Sequence, residues 1–222
     1  MASKIKIDIV SDLVCPWCYI GQKRLADALK EGDYEADISW KPFQLHPELQ
    51  KEGMEKNKFL TQKFGERGAN LFNQIKDVAD SESLAMNPES ITNIPNTINV
   101  HRLMWYAKQK GKDLSLAVSL FEAYFAAGKD FSNDQTLIDL GVACGLDQTD
   151  LKDFLASDMA KEEVLAEENM YRNAGISAVP TFIINDKYMI QGAQPPSAFL
   201  EAFEQLGINQ NGKDFQCTGD DC

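Results

Sequence analysis

Two cysteines separated by two residues, Cys15-Pro16-Trp17-Cys18, follow directly on an apolar, β-branched run (Ile5, Ile7, Ile9, Val10) and open an amphipathic stretch. Thiols at that spacing at the start of a helix can close on each other with little backbone movement, which suits thiol–disulfide exchange. A thiol just before a helix faces unpaired backbone N–H groups and the positive end of the helix dipole, and both favour the thiolate. Cys15 therefore reads as the exposed, attacking thiol. Cys18, one turn in on the apolar stripe, reads as the thiol that resolves a mixed disulfide, and Pro16 and Trp17 restrict the backbone between them. Half a zinc site is a competing reading, and it needs two further ligands. His46, His101 and the tail cysteines are the candidates, and none makes a second close pair of zinc-finger type. An inert structural pair is the third reading.

Three more cysteines complete the set. Cys144 continues an apolar helical stripe and reads as a packed core thiol. Cys217 and Cys222 enclose Thr-Gly-Asp-Asp in a polar tail. Four intervening residues allow a second disulfide, which makes this an auxiliary redox candidate or an inert pair on a loose end. Asp220 and Asp221 disfavour thiolates there, so these thiols should be less reactive than Cys15.

The chain has 222 residues and a net charge of −12. That length can bury a substantial core. The acidic balance argues against a nucleic-acid partner and against an anionic membrane surface, since both need a basic footprint. No run of about 18 apolar residues is present to span a membrane. Met-Ala-Ser-Lys leads straight into a strand without the pattern of a secretory signal. A cytoplasmic location is the expectation, and in a reducing compartment five cysteines are not a disulfide scaffold.

The elements that must hold the dithiol follow from periodicity. Residues 5–10 read as a strand, Pro16 to Gly32 as a helix, and Ile38 to Leu45 as a strand interrupted at Pro42. Helical spacing then dominates. Val100, Leu103, Met104 and Ala107 share one face, as do Leu114, Ala117, Val118 and Phe121, with a stop at Gly128. Leu137, Leu140, Gly141 and Cys144 share another face, and Leu151, Phe154 and Leu155 another. Ser157 is placed to cap a last acidic helix running to Ala174. Thr181–Ile184, the turn Asn185-Asp186 and Lys187–Ile190 read as a hairpin, followed by a helix from Pro195-Pro196 to Gly207. The order is β-α-β, helices, β-β-α: an α/β domain interrupted by an all-helical insertion domain. The divisions are 1–53, 54–174, 175–208 and a flexible tail, 209–222.

Ala178-Val179-Pro180-Thr181-Phe182 is the second element near which chemistry could occur. Pro180 is either a strand-entry residue or a cis-proline turn, and on sequence alone trans is the default. Taken with Ser11-Asp12-Leu13-Val14-Cys15-Pro16-Trp17-Cys18-Tyr19-Ile20-Gly21, Pro95-Asn96-Thr97, His101-Arg102-Leu103 and Gly192-Ala193-Gln194, it makes the chain resemble the DsbA-like thioredoxin-fold proteins over residues 4–207. The likeness is to the FrnE-like branch, related to 2-hydroxychromene-2-carboxylate isomerase, in whose relatives serine replaces the first cysteine.

The resemblance implies a thioredoxin-like fold and a cis Val179–Pro180 bond lying against the dithiol. It implies disulfide oxidoreductase or isomerase activity on protein thiols, disulfides or extended peptides. Cys15 and Cys18 would then be catalytic, and Pro16, Trp17, Val179, Pro180, Asn96 and His101 would border the substrate cleft. Asn96 can equally cap a helix, and His101 can be a satisfied core histidine. No organic cofactor and no metal is expected, because the Cys15–Cys18 disulfide carries the electrons, with glutathione or a thioredoxin-type protein as the reductant. The alternatives are glutathione-linked transfer or small-molecule isomerisation in the same cleft, and a non-enzymatic redox-sensing or zinc-binding protein.

Overall fold

Strand β1 (Ile5–Ser11) lies at the centre of a four-stranded sheet. The structure, a computed structural model, describes residues 4–65 and 68–208. The tail pair Cys217 and Cys222 lies outside the described residues. Every residue of β1 except Lys6 is buried, as a strand covered on both faces requires. Helix α1 (Pro16–Glu31) then returns the chain to β2 (Ala36–Pro42), which pairs parallel with β1 from Ile5↔Ala36 to Ser11↔Pro42. The second strand thus begins two residues earlier than the sequence suggests and ends at Pro42 on a sheet edge, where a missing N–H is tolerated.

The other half comes from the end of the chain. Strand β5 (Thr181–Ile184) pairs antiparallel with β1, and β6 (Tyr188–Gln191) pairs with β5, giving the order β2-β1-β5-β6. Asn185 and Asp186 both take positive φ, as the tight turn between them demands. Helix α9 (Pro196–Gln205) packs beside α1, with the Phe182 and Phe199 rings edge to face at 4.9 Å.

Between the halves lie β3 (Met54–Glu55), α2 (Lys56–Phe64), α3 (Gly68–Ser81), β4 (Asn93–Ile94), α4 (Ile98–Gln109), α5 (Asp113–Phe125), α6 (Asp134–Ala143), α7 (Gln148–Ala156) and α8 (Lys161–Asn173). The insertion is helical apart from the two-residue ladder of β3 and β4. Both α5 and α8 of the insertion meet the sheet domain: the Tyr19 ring of α1 stacks on Phe121 and Phe125, Trp40 of β2 packs on Phe121, and Lys41 of β2 pairs with Glu167 of α8 at 3.1 Å.

Two helix details depart from the sequence reading. Leu114 and Val118 are exposed, while Leu116, Ala117, Leu120, Phe121, Ala123, Tyr124 and Phe125 are buried. A helix this apolar offers more than one plausible stripe, and only packing against α1 and β2 selects among them. Ser157 closes α7, donating to Phe154 O and accepting from Met159 N; α8 instead starts after Ala160, a left-handed residue without a side-chain cap. Among the described residues, no helix is long and apolar enough to cross a membrane.

Candidate active site at the start of the first helix

Cys15 is the N-cap residue of α1 and Pro16 its first residue. The Cys15 carbonyl accepts from Cys18 N at 3.0 Å and Tyr19 N at 3.2 Å, so the dithiol is fixed by the first helical turn itself. Both thiols are free. Cys18 is 1% exposed, on the core face. Burial pushes its thiol well above the ordinary value, and the adjoining Cys15 sulfur adds to the rise. The Ser11 hydroxyl and the Asp12 backbone oppose it.

Cys15 is not the exposed thiol expected from its place before the helix: it is only 4% exposed. The cover comes from the far end of the chain. The Val179–Pro180 bond is cis, and the Val179 carbonyl oxygen stands 3.9 Å from Cys15 Sγ, in reach of a weak S–H···O contact. Trp17, 40% exposed, is the open member of the motif, and Pro16 is half-buried.

The 178–181 loop is held from three sides. Thr181 Oγ1 donates to Ala178 O at 2.8 Å, and Gly192 N donates to Pro180 O at 2.8 Å. Val179 packs on a small cluster of Val10, Phe43, Tyr171 and Ile176. Below the ring of Pro180, Gly21 leaves no room for a side chain. Arg24 of α1 donates to Ala193 O just beyond the hairpin and to Glu82 after α3, tying both parts to α1.

Behind the dithiol lies a buried carboxylate. Asp12 is fully enclosed; its Oδ2 accepts from Leu45 N at 2.7 Å and Thr97 Oγ1 at 3.3 Å. His101 Nε2 lies 3.2 Å from Phe43 O and 3.7 Å from Asp12 Oδ1. A carbonyl only accepts, so Nε2 carries the hydrogen. His101 is thus a satisfied core histidine braced between these groups. Asn96 works in the same frame: Oδ1 accepts from Ile98 N at the start of α4, and Nδ2 donates to Leu49 O. Arg102, next in the motif, donates to the carbonyls of Phe154, Ser157 and Met159 at the end of α7. Cys144 is half-buried at the end of α6, its Sγ 3.5 Å from Ser119 Oγ.

His46, a candidate zinc ligand on sequence, is buried edge-on against Phe59 with Lys63 Nζ 3.3 Å from Nδ1. Burial and that lysine both hold its pKa below the ordinary value. Among the described residues, no three His, Cys, Asp or Glu side chains converge as a metal site would need.

Sequence reasoning passed over three parts of this site. Asp12 carried a signal, because an acid following an apolar strand must find buried donors or leave the core. Gly21 carried one too, as a glycine inside an apolar helical stripe. Ser11 carried none.

A four-stranded β2-β1-β5-β6 sheet, with a dithiol opening the helix after its central strand and a cis-proline loop across it, defines the thioredoxin-fold oxidoreductase class. A family model, the DSBA-like thioredoxin domain, matches residues 6–204, and the chain belongs to that family. It is 27% identical over 203 residues to the uncharacterized protein YwbO of Bacillus subtilis, covering 89% of this chain and 95% of that one. The structure is similar to a probable DsbA oxidoreductase from Streptomyces coelicolor: TM-score 0.83, 28% identity, 96% of this chain and 94% of that one. Two more distant structures share the fold. They are a 2-hydroxychromene-2-carboxylate isomerase (TM-score 0.68, 15% identity, 91% and 96% covered) and DsbM, a cytosolic disulfide reductase from Pseudomonas aeruginosa (TM-score 0.61, 18% identity, 90% and 99% covered), the latter also solved with GSH.

Proposed function

We propose that this oxidoreductase exchanges thiols and disulfides on protein substrates through Cys15 and Cys18, as the FrnE-like branch it resembles would. The observation that carries the reading is the placing of Cys15 Sγ at the N-terminus of α1, 3.9 Å from the Val179 carbonyl oxygen, with Cys18 buried one turn on. A thiolate at Cys15 attacks one sulfur of a substrate disulfide and releases the other as a thiolate. Cys18 then attacks Cys15 Sγ, forming the Cys15–Cys18 disulfide and releasing the second substrate thiol. Two electrons pass from the protein to the substrate, and the reverse sequence oxidises a dithiol.

The main chain at the half-buried Val179, set by the buried Pro180 that follows it, and the exposed Trp17 indole offer an extended peptide one polar edge and one apolar surface. Asn96 and His101 serve the frame behind the sulfurs rather than the exchange itself. No organic cofactor or metal takes part. A small thiol such as glutathione or a thioredoxin-type protein returns the electrons, and the cytoplasm is the compartment in which such a reductant is abundant.

Insulin reduction and reactivation of scrambled ribonuclease by the wild type and by Cys15→Ser test the reading. Loss of both activities in the variant supports it. Full activity without Cys15 refutes it. Turnover confined to glutathione and a small electrophile moves the assignment to transferase or isomerase chemistry.

A further inference from the structure

The last residue of β1 is a serine with no exposed surface, and its Oγ has no hydrogen-bond partner among the described residues. An unpartnered buried hydroxyl is costly and is uncommon in a core unless it has a task. Backbone pairing explains why a residue is needed here, since Ser11 stands opposite Pro42 in the β1–β2 ladder, but it does not explain a hydroxyl. Valine or alanine would serve a strand enclosed on both faces without leaving a polar atom unmatched.

Cys18 is the neighbour that explains it. Ser11 follows Ile5, Ile7 and Ile9 on one face of β1, and the core cluster on that face holds Cys15 and the buried Cys18, whereas Val10 turns to the opposite cluster. The Ser11 hydroxyl and the Asp12 backbone both favour the Cys18 thiolate. As a neutral thiol, Cys18 asks little of a donor, which fits a hydroxyl that has not closed a hydrogen bond. As a thiolate it would be a charge in the core, costly without donors. The other charged or titratable groups at this spot are the Asp12 carboxylate, held by Leu45 N and Thr97 Oγ1, and His101, braced against Phe43 O. A carboxylate opposes a second negative charge nearby, so the free hydroxyl is the group suited to receive it.

We propose that Ser11 is a catalytic residue of the resolving step, donating its O–H to Cys18 Sγ as that sulfur becomes a thiolate and attacks Cys15. The inference rests on the exchange reading above. In the step, Cys18 loses its proton to solvent, its electron pair forms the bond to Cys15 Sγ, and the bond from Cys15 to the substrate sulfur breaks. The substrate leaves as a thiolate that takes up a proton. Ser11 keeps its own proton throughout.

The reduced full chain is mixed with glutathione disulfide, quenched with acid at intervals, and the peptide carrying both Cys15 and Cys18 is weighed by mass spectrometry. The adduct on that peptide forms through Cys15 and disappears through Cys18, so reactions of Cys144 or the tail thiols do not enter. In Ser11→Ala the adduct should form at the wild-type rate and disappear about tenfold more slowly, the loss of one hydrogen bond to a charged group. The pH at which its disappearance reaches half its maximum should move upward. Ser11→Thr, which keeps the hydroxyl, should restore both the rate and the pH profile. Wild-type resolution in Ser11→Ala overturns the proposal. So does a slowing shared by Ser11→Thr or extending to adduct formation, which would mark a packing effect. A wild type that forms no adduct on this peptide refutes the exchange reading itself, and this inference with it.

Discussion

A β-carbon on Gly21 would stand 2.9 Å from Cγ of Pro180. The helix that carries the dithiol and the loop that covers it therefore touch at a point where only hydrogen fits. Phe182 Cζ, at 3.1 Å, closes the same spot from the sheet side. Gly21→Ala gains about 1 kcal/mol of helix propensity but overpacks a closed contact at about 1–3 kcal/mol. The net expectation is a loss of roughly 1 kcal/mol in a urea titration. Insulin reduction should fall further than stability does, because the displaced group is the loop against Cys15. A variant as active as the wild type and more stable would show that the loop yields freely.

Asp12 joins β1, the segment after β2 and the start of α4 through Leu45 N and Thr97 Oγ1. Asp12→Ala would leave those donors buried and unmatched, at about 3 kcal/mol or more. Asp12→Asn keeps an acceptor and should lose less. The two variants should therefore differ clearly in their urea midpoints, and equal midpoints would mean the carboxylate is not what holds these segments.

These contacts also mark where the sequence stops being readable. Cys15, Cys18 and Pro180 announce themselves by local pattern, as do β1, α1 and the 181–191 hairpin, whose Asn185-Asp186 turn needs positive φ. The burial of Cys15 does not, because its cover comes from Val179, 164 residues away. Asp12 and Ser11 stand inside the motif, yet the partners of Asp12 are Leu45, after β2, and Thr97, just before α4, and no local pattern shows that Ser11 Oγ is left without one. The face of α5 was misread for a related reason: an apolar helix has several equivalent stripes until neighbours choose one. Backbone periodicity is local and legible, whereas the satisfaction of a buried polar group depends on which distant segment arrives.

Glu168 and Gln44, 124 residues apart, join α8 to the segment after β2. The buried Glu168 carboxylate accepts from Gln44 N at 2.9 Å, Gln44 Nε2 at 2.7 Å and Arg172 Nε at 2.9 Å. Arg172 in turn lies 3.9 Å above the Phe43 ring, and Phe43 packs in the cluster that supports Val179. Glu168→Ala strands an arginine and two amide donors, so a stability loss of about 3 kcal/mol is expected. Hydrogen exchange should quicken at Phe43 and Gln44 as α8 releases them. Unchanged protection there would break the proposed link between α8 and the loop over Cys15.

Cys18 should make the reduced protein sensitive to alkali. Burial, with the Cys15 sulfur adding to it, holds its thiol well above the ordinary value of 9.0, so the folded state keeps a proton that the unfolded chain gives up. Its contribution is fully present below pH 9.0 and is lost as pH rises from there through the raised folded value. In that window the native state binds more protons than the unfolded one, and stability falls by up to about 1.4 kcal/mol per pH unit. Cys18→Ala removes the group, so the stability difference between reduced wild type and variant should be constant below pH 9.0 and shrink above it. Urea titrations of both proteins from neutral pH to pH 10.5, under a reductant that keeps every thiol free, give that difference directly. A difference that stays constant across the whole range would mean that Cys18 ionises as readily in the folded protein as in the unfolded chain.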